Sequence, residues 1–182
     1  EVESAFAAQE SAAFVSGDGT AKPRGFLDYE IVAEASHVWG KIGSVAGDFT
    51  LDDAADQIID LIYTPKSQFR AGARFVMNRR TVSAVRKLKD VDGRYLWQPG
   101  SGGEPATIMG YAVTEMEDMP DIGASNAAIA FGDFRRGYLI ADRQGARVLR
   151  DPYSAKPYVL FYTTKRVGGG VQNFDAIKTM VF

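Results

Sequence analysis

With 182 residues and 19.8 kDa, the chain has room for one domain or two small lobes, and its 46% hydrophobic, 12% aromatic and 24% charged residues exclude a disordered polymer. It holds no cysteine and one histidine, His37, which excludes disulfides, zinc–thiolate sites, cysteine nucleophiles and multi-histidine metal centres. The net charge of −2 conceals 12 acids against 3 bases in residues 1–60 and 11 acids against 18 bases in residues 61–182, a separation of sign that suits head-to-tail self-association.

In chain order, residues 1–15 read as the end of a helix, with Val2, Ala5, Phe6, Gln9, Ala12 and Ala13 near the three-four spacing. Gly17-Asp18-Gly19 stops it, and because a helix rather than a strand precedes these glycines they are a terminator and not a phosphate loop. There is no initiator Met, basic leader or apolar leader segment, so we expect a fragment of a longer chain.

Residues 50–63 form the next predicted helix, with Thr50 as cap, Asp53 three residues on, and Leu51, Ala54, Ala55, Ile58 and Ile62 as the apolar face. Its acids Asp52, Asp53, Asp56 and Asp60 belong to solvated surface, since no further metal ligands accompany them. A buried strand over 73–77 follows. Asn78 then caps a helix over 79–89 whose inner face is Val82, Val85 and Leu88.

That helix turns Arg79, Arg80, Arg86 and Lys87 outward as a basic ridge, a candidate subunit interface whose alternative reading is plain solvated surface. No zinc finger or ribonucleoprotein motif accompanies the charge, so sequence-specific nucleic-acid binding is not expected. Asp90 to Gly93 reads as a turn, lacking the later ligands of a calcium loop. Gln98, Pro99, Gly100, Ser101, Gly102, Gly103 and Glu104 then make a long exposed loop.

The remainder offers short strands at 107–113, 127–131, 138–141, 148–150, 158–164 and 174–181, with residues 166–170 as a turn before the last. Trp39, Trp97, Phe131 and Tyr162 are expected in the core. Glu115 and Glu117 are the acid pair on which a carboxylate enzyme would have to rely. The longest apolar runs, such as 158–162, are far below the roughly 18 residues of a membrane-spanning helix, so no membrane partner is expected.

Taken in order, several phrases resemble the major capsid protein family of tailed bacteriophages, which has the Hong Kong 97 capsid fold. They are Gly17-Asp18-Gly19 with Pro23-Arg24-Gly25, Phe75-Val76-Met77-Asn78 with Thr81, and Leu88-Lys89-Asp90 with Asp92 to Leu96. Met109 to Val113, Met119-Pro120, Phe131-Gly132-Asp133 with Tyr138, Asp142-Arg143, and Lys165-Arg166 with Gly168-Gly169 complete the run.

The resemblance implies an α+β fold divided into residues 1–27 (peripheral domain, end of the spine helix and its loop), 28–130 (axial domain), 131–170 (return strands of the peripheral domain) and 171–182 (a C-terminal strand back to the axial domain). It implies a structural protein without catalytic, metal or cofactor residues, forming pentamers and hexamers of an icosahedral shell around double-stranded DNA. The shell of a tailed phage, prophage or phage-derived particle would be assembled in the bacterial cytoplasm, with portal, scaffold and maturation protease as further partners. Packaged DNA would be met by non-specific contact only. The residues 98–104 would then sit near the capsomer axis. The family's N-terminal arm and extended loop are not in this sequence, and no cross-linking lysine is carried over. An encapsulin-type compartment shell is the alternative within the fold, and a ligand-binding β domain around Trp39 and Trp97 the alternative outside it.

Overall fold

A computed structural model describes residues 2–49, 53–89, 95 and 107–182. The Ala-rich start forms α1 (Val2–Ser16). It ends at Gly17, whose N–H reaches the Ala13 carbonyl and where a Cβ would come within 2.2 Å of the Pro23 carbonyl and 2.5 Å of that of Ala13. Only glycine fits between the helix end and the chain that folds back over it.

Two short strands absent from the sequence reading come next, β1 (Ile31–Ala33) and β2 (Ile42–Ala46). Helix α2 (Ala54–Tyr63) buries Ala54, Ile58, Leu61 and Ile62, so Leu61 joins the expected face while Ala55 is only half-buried. Thr50, Leu51 and Asp52 lie outside the described residues; the Asp53 side chain accepts from Gln57 Nε2 instead of capping the helix. A single turn, α3 (Ser67–Arg70), leads into β3 (Arg74–Met77) and α4 (Arg79–Arg86).

The expected strand at 107–113 is a hairpin, β4 (Thr107–Ile108) and β5 (Tyr111–Glu115). Met109 and Gly110 turn it with φ of 50° and 87°, the left-handed conformation that a tight hairpin demands. Strand β6 (Ala127–Gly132) is buried along its whole length, and the one-turn helix α5 (Phe134–Gly137) follows it.

The expected separate strands at 138–141 and 148–150 are one, β7 (Tyr138–Asp151). Its partner β8 (Leu160–Val171) absorbs the segment 166–170 read above as a turn. Gly168, Gly169 and Gly170 pair with Ala141, Ile140 and Leu139. Their small size is used for close approach: a Cβ on Gly169 would lie 2.8 Å from the Tyr138 hydroxyl. Strand β9 (Ile177–Val181) ends the chain's ordered elements.

Seven strands form one sheet in the order β1-β2-β9-β6-β3-β5-β4, while β7 and β8 form a separate two-stranded ribbon. The central strands are apolar on both faces because both are covered. Ile58, Leu61, Phe75, Met77, Val82, Val85, Ile129, Phe131 and Met180 form the core on one face, under α2 and α4. Val15, Phe26, Ile42, Val76, Ala130, Phe174 and Ile177 form the other, under the end of α1. Phe131 lies in the core as expected; Trp39 and Tyr162 do not, being 66% and 54% exposed, and Trp97 is outside the described residues.

One charge is built into the sheet. The ammonium of Lys178 on β9 contacts both oxygens of Glu34, at 3.0 and 2.8 Å. Its side chain is 2% exposed, that of Glu34 38%. A Cβ at Gly43 on β2 would come within 1.8 Å of that carboxylate, so the glycine makes the space the pair occupies.

Two outcomes follow for urea denaturation of the folded chain. Phe131→Ala costs about 3–5 kcal/mol by opening a cavity at the centre of the sheet. Glu34→Ala is more damaging than Lys178→Met, because the first strands a buried cation, at about 3–5 kcal/mol, whereas the second leaves a carboxylate that reaches water. The opposite ranking would remove the pair from its place in the fold.

Candidate assembly surfaces

The basic ridge grows from the way α4 begins. Asn78 is buried and uses every arm of its amide: Oδ1 accepts the Thr81 N–H at 2.8 Å, while Nδ2 donates to the Met119 carbonyl at 3.0 Å and to Asp121 Oδ1 at 2.7 Å. The other Asp121 oxygen accepts from Arg80 Nη1 at 2.6 Å, and Arg79 Nε lies 3.5 Å from Glu117. Met119, planted in the core, pins this acidic segment in place.

Arg79 and Arg80 therefore face acids of their own chain. Arg86 and Lys87 are exposed at the other end of the helix, seven residues and about 10 Å along its axis. The predicted four-residue ridge is thus two unlike ends: a cation pair held by the 117–121 segment, and an outward pair beyond it. Glu117 is taken up by Arg79, and Glu115 is exposed on the end of β5. The loop residues Gln98 to Glu104 lie outside the described residues.

Asp121 records the electrostatics. The Arg80 guanidinium first, and the Asn78 amide second, hold its carboxyl below the usual carboxylate range. Its contribution to stability is present above the unfolded-state value and lost as pH falls through the lowered folded one.

The surface that periodicity failed to show is the β7–β8 ribbon. Fourteen residues of β7 extend about 45 Å, yet Leu139, Ile140, Val148, Leu149, Phe161 and Tyr162 remain exposed along the ribbon. A lone two-stranded ribbon is marginal in water, and the apolar side chains along it form a contiguous exposed apolar surface. Its root is fixed by α1 and the loop after it. Lys165 pairs with Glu10 at 2.5 Å, and Tyr138 stacks edge-on against Phe14 at 5.9 Å. The Tyr138 hydroxyl donates to the Arg24 carbonyl at 2.8 Å. Burial pushes that phenol up to about 12.

A third exposed feature is Trp39, set on a loop after β1 with its ring edge-on to Phe174 at 5.5 Å. His37, at the start of that loop, contacts the Lys41 carbonyl at 3.1 Å and lies 3.8 Å from Asp175, which Lys66 also pairs at 2.7 Å. Among the described residues no group of three or more His, Cys, Asp or Glu is arranged to hold a metal ion, and no described helix is long and apolar enough to cross a membrane.

A family model described as the phage capsid family matches residues 1–182. No curated protein matches the chain. Among solved structures, the capsid of an empty GTA particle computed with C5 symmetry is similar over 100% of this chain and 63% of its own, at 54% identity and a TM-score of 0.94. The capsid of the native GTA particle gives the same coverages and identity with a TM-score of 0.93. The chain thus spans less than two thirds of the length of these two relatives. The holo-SrpI encapsulin complex from Synechococcus elongatus PCC 7942 shares the fold at 17% identity and a TM-score of 0.60, over 99% of this chain and 62% of its own.

Replacing Arg80 by Ala raises the Asp121 carboxyl toward its ordinary range, measured by carbon-detected NMR titration. An Asp121 already at the ordinary value in the unaltered chain would show that the Arg80 pairing is not formed in solution.

Proposed function

The chain belongs to the phage capsid family, with its Hong Kong 97-like fold, and on that premise we propose that it is the shell-forming part of a major capsid protein. The observation that carries this is the 54% identity to the GTA particle capsid over the entire chain. Copies associate into pentamers and hexamers that close an icosahedral shell around double-stranded DNA, and the protein resides in the particle. DNA meets the inner surface through phosphate charge without sequence readout.

In this reading residues 1–27 and 131–170 form the peripheral domain and residues 28–130 and 171–182 the axial one. The separate ribbon supports the first assignment and the seven-stranded sheet the second. The 98–104 loop sits near the capsomer axis. The basic ridge of Arg79, Arg80, Arg86 and Lys87 meets a neighbour, Arg79 and Arg80 also facing Glu117 and Asp121 of their own chain. Portal, scaffold and maturation protease complete the assembly, which takes place in the bacterial cytoplasm. Work in such a protein is done by surfaces, through contacts that repeat from copy to copy.

The full-length protein, expressed alone and with its neighbouring genes, forms closed particles with five- and six-membered rings by electron microscopy and sedimentation. A persistent small monomer in both preparations overturns the proposal; particles loaded with enzyme instead of DNA favour an encapsulin-type compartment. The double reversal Arg86→Glu with Lys87→Glu weakens assembly more at low salt than at high, because the Debye length falls from about 10 Å at 0.1 M to about 3 Å at 1 M. Unchanged assembly at low salt removes these two residues from the interface.

A further inference from the structure

Unpaired charge and exposed apolar surface coincide at two places far apart in the sequence, and with opposite sign. On the ribbon, Arg147 pairs with Thr164 and Leu149 with Tyr162, so these four side chains share one face. The opposite face, with Val148 and Phe161, turns toward Val2 and Phe6 of α1. The first face therefore points away from the molecule, and Leu149 is 65% exposed there. Among the described residues Arg147 has no ion-pair partner.

On α2, the side turned from the core carries Asp56, Ile59, Asp60 and Tyr63, the i, i+3, i+4, i+7 spacing of one helical stripe. Ile59 and Tyr63 are both exposed. The Arg70 guanidinium stands 4.8 Å over the Tyr63 ring and fixes it. Among the described residues neither Asp56 nor Asp60 has an ion-pair partner.

We propose that the outward face of the ribbon of one copy seats on the α2 stripe of an adjacent copy, Leu149 and Tyr162 against Ile59 and Tyr63, with Arg147 facing Asp56 and Asp60. Signs are opposite and spacings agree: Arg147 lies about 7 Å along the strand from Leu149, and Asp56 about 5 Å along the helix from Ile59. Ribbon against ribbon would set cation on cation. The occupant is a second copy because the matching surface is on this same chain, and a contact between unlike faces repeats from copy to copy, as ring closure requires. The inference deepens the shell reading and rests on it.

These 182 residues hold no cysteine, and any cysteine elsewhere in the full-length protein is replaced by serine before the test. Full-length protein carrying both Leu149→Cys and Ile59→Cys, assembled and then oxidised, yields a ladder of covalently linked subunits on denaturing gels, which neither single variant yields. Absence of the ladder from intact particles overturns the contact and leaves the shell reading standing. Arg147→Glu lowers particle yield about tenfold or more, as does Asp56→Lys with Asp60→Lys, and the combined variant restores it to within about twofold. Unchanged yield in either variant, or no recovery in the combined variant with its circular dichroism intact, overturns the contact. No closed particle from the unaltered full-length chain overturns the shell reading itself, and this contact with it.

Discussion

The sheet is organised around a buried ammonium. Lys178 lies on β9, the strand that joins β2 on one side to β6 on the other. A cation there is tolerated only if paired, and the carboxylate that pairs it comes from Glu34, 144 residues earlier. Pairing sets Lys178 opposite Gly43, the position with room for the two side chains. Slipping β9 by one residue would turn the ammonium to the other face and bring Ile177 or Thr179, neither of them a cation, to the carboxylate. The pair thus contributes register more than net stability. Register is what the two halves of the sheet require, since the last strand of the chain must enter between strands made long before it.

From that inner order the outer surfaces follow. With β6 and β9 covered on both faces, the apolar residues of the sheet are spent on the core. The ribbon is different: two strands, one side partly sheltered by α1, and apolar side chains on both faces. Among the described residues no second sheet covers it. The division suits a shell protein whose exposed surface meets neighbouring copies, and the exposed Leu, Tyr and Phe gather along this one segment.

How much of this was legible follows the physics of each element. Helix α4 was readable because its signals are local: an Asn cap, a three-four apolar spacing and basic residues toward its end. The buried strands β3 and β6 were readable as short apolar runs. Strands β1 and β2 were not, because three and five residues carry too little alternation and are held by parallel partners distant in sequence. The ribbon was misread for the opposite reason. Its polar alternation resembles separate surface strands, and Gly168 to Gly170, by composition a turn, serves as the close-approach part of a strand. Trp39 was assigned to the core by burial habit, which knows nothing of an edge-on contact that shelters one edge of a ring and leaves the rest in solvent. The basic ridge was located correctly as exposed surface, but the acids that hold Arg79 and Arg80 lie some forty residues away, beyond any local pattern.

That last failure bears on how charge works in this chain. A count of the bases in residues 61–182 treats them alike, yet their positions divide them. Those at the start of α4 are neutralised within the copy and stabilise the 117–121 segment, and Lys165 on the ribbon is neutralised by Glu10, while Arg147 on the ribbon has no described ion-pair partner. Exposed ion pairs contribute little singly, about 0–1 kcal/mol, so an assembly relying on such contacts must use many of them at once. Repetition around a closed ring supplies the number, each weak contact becoming effectively intramolecular once its neighbours are in place. Charge left unsatisfied in one copy is then a means of making association cumulative and, before closure, reversible, which allows a misplaced copy to leave while a completed ring persists.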